Sequence, residues 1–293
     1  MVRGMKVFGE FLTREDIVLF DGAMGTQLNE LGLPMSGEVN LTHPEQVMKV
    51  HEAYLKGGAQ ILITNTLTMN RPFIEAHDLG LDVREVNLAG AKLANAAGDN
   101  HFVVGDISST GILLEPFGEL TSDKAFEGFR EQAQALAEGG VDGFIVETMY
   151  DLKESLLAVR ACREVSDLLI IATIAFNSTK NGGRTIMGDS AAGCAQQLES
   201  AGASVVGANC GDISPEQMAD VIAAMRLATD LPLLAQPNAG SPKLVDGKTV
   251  FGMDPEQFAA GIQKCIKAGA NLVGGCCGTT PEHISLLSAS LTN

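Results

Sequence analysis

Lys267-Ala-Gly-Ala-Asn271 runs directly into Leu272-Val-Gly-Gly-Cys-Cys277, and this stretch decides the fold because the chain repeats its pattern three more times. Lys56-Gly-Gly-Ala-Gln60 precedes Ile61-Leu-Ile-Thr-Asn-Thr66. Glu138-Gly-Gly-Val-Asp142 precedes Gly143-Phe-Ile-Val-Glu-Thr148, and Ser200-Ala-Gly-Ala-Ser204 precedes Val205-Val-Gly-Ala-Asn-Cys210. Each copy reads as a helix stopped by glycine, a tight turn, a short apolar strand and then polar residues. The copies lie roughly 60 to 80 residues apart, about two βα units of ~30 residues each.

The strands between the copies fall where that spacing predicts. His101-Phe-Val-Val-Gly-Asp106 follows an alanine-rich helix over 83–98, Leu168 to Phe176 follows a helix over 153–165, and Pro232 to Asn238 follows one over 215–229. Asp16-Ile-Val-Leu-Phe20 supplies the first strand, and Thr42-His-Pro-Glu45 opens a helix running to Lys56 with proline in its first turn. Eight βα units in one chain make a (β/α)₈ barrel, a TIM barrel in the α/β class, which needs ~250 residues. The alternative is a doubly wound open sheet, but no G-x-G-x-x-G or phosphate-loop pattern accompanies these strands. No linker or low-complexity break divides the chain, so residues 1–293 are expected to form a single domain.

The totals narrow the function. A hydrophobic content of 45% is ample for a large core, and a formal charge of −16 argues against a basic face for nucleic acid or anionic membrane. No apolar run approaches the ~20 residues of a membrane span, and no signal-peptide core opens the chain, so a cytoplasmic protein is expected. Six cysteines in such a chain read as reduced thiols or ligands rather than disulfides.

Barrel active sites lie at the C-terminal ends of the strands. That face collects Asp21, Thr64, Asn65, Asp106, Glu147, Asn177, Asn209, Cys210, Asn238, Cys276 and Cys277. Adjacent side chains on a regular strand point to opposite faces, so Cys276 and Cys277 reach one point only if the chain turns there, which the flanking glycines allow. Cys210 ends the sixth strand and the pair ends the eighth, and residues from alternate strands share layers in such barrels. Three thiolates converging this way make a zinc site with its fourth position open, as catalytic sites have. The bland alternative is incidental free cysteines. Cys162, Cys194 and Cys265 lie in helical stretches and read as packing residues. Asp21 and Glu147, with a metal at the same mouth, suit a pocket for a cationic ammonium group, whereas Asp106 reads equally well as structural. His283 is expected in the first turn of the last helix, behind the cysteine loop, with a ligand-orienting place and a surface place both open. His43, His51, His77 and His101 show no metal-ligand spacing.

Asp21-Gly-Ala-Met-Gly-Thr26, Thr64-Asn-Thr66, Gly105-Asp-Ile107, Glu147-Thr148, Asn209-Cys210, Pro237-Asn-Ala-Gly240 and Gly274-Gly-Cys-Cys-Gly-Thr-Thr-Pro-Glu-His283 together resemble the zinc-dependent homocysteine S-methyltransferase family. Within it, they look most like the homocysteine-binding module of cobalamin-dependent methionine synthase. The likeness runs from about residue 19 to 287. It implies a (β/α)₈ barrel with zinc on Cys210, Cys276 and Cys277. It also implies that Asp21 and Glu147 meet the amino group of homocysteine, that amides around Gly22-Ala23 help hold its carboxylate, and that Asn209 belongs to the substrate site. A free thiol, with a pKa near ~8.5, is mostly protonated at neutral pH; zinc would hold the homocysteine sulfur as the nucleophilic thiolate. The product would be methionine. Cobalamin would enter only through a separate protein or domain, as a methyl-corrinoid donor.

The chain also departs from the family's pattern. Thr66-Leu-Thr-Met-Asn70 replaces an aromatic-containing segment, and Ser108-Ser109 stands where Gly-Pro is common. A betaine donor is disfavoured, because a quaternary ammonium wants an aromatic cage and the chain has no tryptophan. Three alternatives stand beside the main reading: a different thiol or methylated substrate on the same zinc chemistry, with a corrinoid or sulfonium donor; a zinc-binding barrel subunit without catalysis; and a folate-binding barrel, which would lack the cysteine triplet.

Overall fold

Runs such as Leu-Ile-Ile-Ala-Thr-Ile become strands because β-branched side chains pack well on a pleated surface covered on both faces. A computed structural model describes residues 5–12, 16–245 and 248–291. Its strands are β1 (Val18–Leu19), β2 (Ile61–Ile63), β3 (Phe102–Ile107), β4 (Gly143–Met149), β5 (Leu169–Ile174), β6 (Val205–Asn209) and β7 (Leu233–Gln236). A hairpin of β8 (Lys243–Val245) and β9 (Lys248–Val250) precedes the last barrel strand, β10 (Leu272–Val273). The barrel order is β1-β10-β7-β6-β5-β4-β3-β2, with every neighbouring pair parallel. A bridge between Phe20 and Ile61 closes the seam, beside Gln60 N–H donating to Leu19 O at 2.8 Å and Asp21 N–H to Ile61 O at 3.1 Å. This is the expected (β/α)₈ barrel.

The helices follow their signals closely. Pro44–Lys56, Val83–Ala96, Leu152–Val165 and Pro215–Arg226 occupy the expected stretches, and Ser214 forms a capping box with Gln217. The strands are shorter than expected at their polar ends. After Ile63 the chain turns instead of extending, with Thr66 N–H on Thr64 O and Met69 N–H on Thr66 O, both at 2.9 Å. Those polar ends build the mouth.

Val18, Phe20, Ile61, Val104, Ile145, Ile171, Val205, Leu234 and Leu272 fill the barrel, while the larger core lies between strands and helices. Two elements stand outside the sequence reading. A helix at Met5–Leu12 adds Phe8 and Leu12 to the barrel's own core, the Phe8 ring lying 4.8 Å from that of Phe102. The β8–β9 hairpin adds a flap to the excursion after β7.

Candidate active site

Cys210 leaves β6 with φ 54°, followed by Gly211 at 74°. A non-glycine residue in this left-handed region is uncommon and costs about 1–2 kcal/mol. A Cβ on Gly211 would sit 2.2 Å from Phe176 O, so only glycine follows Cys210 here. On the other side of β7, the loop after β10 is held from both neighbours. Gly275 N–H donates to Asp21 O at 3.0 Å, Cys276 N–H to Pro237 O at 2.9 Å, and Ala239 N–H to Cys277 O at 2.9 Å. Thr279 N–H closes a turn onto Cys276 O at 3.1 Å, with Gly278 at φ 80°. This is the turn that two adjacent thiols need to face one point. The sulfurs of Cys210, Cys276 and Cys277 all lie within 4.8 Å of one another, each half-buried.

Within the triplet the Cys276 and Cys277 thiols hydrogen-bond to Cys210, which lowers Cys210 to about 3. The same contact raises Cys276 well above the ordinary thiol range and Cys277 to about 12. Without a metal, the cluster thus holds one thiolate, on Cys210, stabilised by the two neighbouring thiols. Cys162, Cys194 and Cys265 are buried in helices, and burial pushes all three thiols up, as packing residues should be.

A cavity of about 160 Å³ opens beside the sulfurs, walled by Gly22, Ala23, Thr64, Asn65, Asp106 and Glu147 among others. Among the described residues, no lysine, arginine or histidine lines it. Asp21, behind the wall, accepts Ile63 N–H on Oδ2 at 2.9 Å, while its buried Oδ1 has no partner among the described residues. Burial raises its pKa well above the usual carboxylate value, with Glu147 adding to the effect. Glu147 is raised to about 7, first by burial and then by Cys210. Asp106 is a third buried acid, raised by burial and by Glu147, to which it hydrogen-bonds; its Oδ1 is also unpartnered. Asp106 belongs to the same cluster, which its lone position in the sequence did not reveal.

Two expected substrate residues are placed differently from the others. The Ala23 N–H is engaged by Thr279 Oγ1 at 3.0 Å, so Ala23 meets the cavity as wall rather than as a free amide. Asn209 is fully buried behind the wall, with its amide bound to Glu147, Thr148 and Thr173. Asn238 donates to Gly211 O at 3.0 Å, supporting the Cys210 turn. Asn177 instead bonds Asp212, away from the cavity wall. His283 opens the last helix and is buried: Nδ1 contacts Thr280 Oγ1 at 2.9 Å and Nε2 meets Met253 O at 3.0 Å, so it ties the cysteine loop to the chain after the hairpin.

Fold and site together define a (β/α)₈ barrel with a three-thiol, acid-lined pocket at the C-terminal face of its strands. The homocysteine S-methyltransferase family model matches residues 18–291, and the chain belongs to that family of methyltransferases. It is 27% identical over 294 residues to methionine synthase of Mycobacterium leprae, covering 94% of this chain and 24% of that protein. With methionine synthase of Mycobacterium tuberculosis it shares 27% identity over 296 residues, covering 94% and 25% respectively. The chain therefore spans about a quarter of the length of these relatives. The metallated homocysteine methyltransferase MmuM of Escherichia coli shares the fold, with a TM-score of 0.77 at 23% identity over 96% of this chain and 98% of that one.

Proposed function

We propose that this chain is a single barrel unit, residues 1–293, that binds homocysteine against a zinc ion on Cys210, Cys276 and Cys277 and methylates its sulfur to give methionine. The observation that carries this reading is the convergence of three sulfurs within 4.8 Å beside a carboxylate-lined cavity with no basic side chain among the described residues. The donor set suits zinc: Cys210, Cys276 and Cys277 bring three soft sulfurs together beside the cavity and would hold the ion there. Bound there, zinc supplies a Lewis acid that brings a thiol's pKa down into the thiolate range.

The remaining work falls to the chain's own side chains. Asp21 and Glu147 receive the substrate ammonium, which supplies the positive charge this acid cluster lacks. Its arrival favours the ionised form of Glu147, whose pKa of about 7 leaves it partly protonated beforehand. Gly22 and Ala23 shape the wall at the carboxylate end, and a Cβ at Gly22 would lie 2.6 Å from Thr279 Oγ1, so the approach there requires glycine. The methyl donor is a methyl-corrinoid carried on a separate protein or domain. The relatives, methionine synthases about four times as long as this chain, support that choice.

Metal content and calorimetric homocysteine binding, on wild type and Cys277→Ser, test the reading. One zinc per wild-type chain is expected, with proton release on adding homocysteine, and loss of both in the variant. A zinc-loaded wild type that ignores homocysteine would sink the substrate assignment, and a protein that takes up no zinc under reducing conditions would sink the mechanism.

A further inference from the structure

Asn209 has no hydrogen-bonding capacity left for a ligand. Its Oδ1 accepts Thr148 N–H at 2.9 Å and Thr173 Oγ1–H at 2.7 Å. Its Nδ2 donates to Glu147 Oε2 and to Thr148 Oγ1, both at 2.8 Å, and lies 3.9 Å from Cys276 Sγ. A side-chain amide offers two N–H donors and one acceptor oxygen with two lone pairs, and all are taken.

What these bonds hold in place is strained. Thr148 has φ 57°, a left-handed conformation that a β-branched residue adopts only under constraint. The β4–β5 register shifts between Val146 and Met149, the signature of a bulge. Bulges beside active sites re-aim a neighbouring side chain, and here that neighbour is Glu147, which lines the cavity. Backbone strain at a functional site persists when the surroundings over-determine it, and Asn209 binds Thr148 through both backbone and hydroxyl. With both N–H groups given to Glu147 and Thr148, the same amide nitrogen packs against Cys276 Sγ at 3.9 Å, so one rigid group sits between the two ends of the site.

We propose that Asn209 is a positioning residue that fixes the distance between Glu147 and the Cys276 end of the thiol cluster, and thereby selects homocysteine over cysteine, which is shorter by one methylene. The proposal rests on the homocysteine reading above. A site that reads one methylene discriminates by about 10- to 200-fold.

The test measures dissociation constants of homocysteine and cysteine by calorimetry. It uses the zinc-loaded wild type, Asn209→Ala, and Asn209→Ala combined with Thr148→Gly. Asn209→Ala is expected to keep its zinc and to lose at least tenfold in the homocysteine-to-cysteine preference, mostly through weaker homocysteine binding. Glycine at 148 accepts the left-handed backbone without strain, so the double variant is expected to regain thermal stability and not the preference. Equal weakening of both thiols in Asn209→Ala would reduce Asn209 to scaffold and overturn the proposal. Recovery of the preference in the double variant would do the same, because holding the bulge alone would then suffice. A wild type with no preference for homocysteine would remove the substrate reading itself, and the selection role with it.

Discussion

His51 is fully buried on the helix Pro44–Lys56, and neither of its ring nitrogens has a partner among the described residues. Burial lowers its pKa to about 3, and His101, held to Ala94 O at 2.9 Å, pushes it the same way. A histidine with a folded pKa below its unfolded value of ~6.5 stays neutral in the fold while the unfolded chain takes up a proton. Stability is therefore retained above about pH 6.5 and lost as pH falls toward 3, at about 1.4 kcal/mol per pH unit for this one group. Glu147 runs the opposite way. Its folded pKa is raised to about 7, so its contribution is present below the unfolded value and is lost as pH rises through 7. His51→Leu isolates the first effect, since it removes two unpartnered nitrogens and leaves an apolar side chain. Denaturant titrations at pH 7, 6 and 5 are expected to show the variant gaining on wild type by roughly 1 kcal/mol or more from the first pH to the last. Parallel stability curves over that range would show that His51 is protonated alike in both states.

The loop from Gly274 to Thr280 carries two of the three clustered thiols, but its position is set by residues outside the cluster. Thr279 is fully buried; its Oγ1 accepts Ala23 N–H at 3.0 Å and donates to Cys276 O at 2.7 Å. Tyr54 OH lies 2.8 Å from Ala23 O and 3.1 Å from Thr279 O, a second tie between the same two loops. Thr279→Val keeps the shape and leaves Ala23 N–H without its acceptor, so a loss of about 1–3 kcal/mol is expected in denaturant unfolding, restored by Thr279→Ser. Full stability in the valine variant would mean that the tie through Tyr54 suffices. The cysteine pair itself was legible, because glycines around adjacent thiols announce a turn. The tie of Thr279 to Ala23 and the saturated amide of Asn209 were not, since they depend on partners 36 to 256 residues away in sequence. The helix Met5–Leu12 left a usable signal, Phe8, Phe11 and Leu12 at helical spacing, but the run is too short to stand out from apolar noise.

At the scale of the molecule, the repeat of glycine-stopped helix and apolar strand made the architecture legible, because every barrel unit solves the same burial problem. It could not say which apolar side chains would stay in water. The most exposed, Leu227 at 92%, ends the helix Pro215–Arg226, but the next three lie in excursions that follow strand C-termini: Leu244 is 78% exposed on the β8 strand after β7, Phe117 75% after β3 and Ile186 69% after β5. Met35, which also lines the cavity, is 57% exposed after β1. Single exposed apolar residues are ordinary, but these sit on the loops that follow the strand C-termini, where a protein-borne donor would have to approach the cavity. A free small donor needs only the cavity, whereas a corrinoid carried on a protein must bring a macromolecular surface against these loops. The two donor routes therefore separate by mutation. Changing Phe117, Ile186 and Leu244 together to glutamate adds charge to a rim that no proposed substrate contact uses. Methyl transfer from a methyl-corrinoid protein is expected to fall at least tenfold in kcat/KM, with homocysteine affinity and transfer from free methylcobalamin unchanged. If transfer from the protein donor survives, the donor docks elsewhere; if free methylcobalamin fails equally, the rim shapes the cavity rather than the encounter.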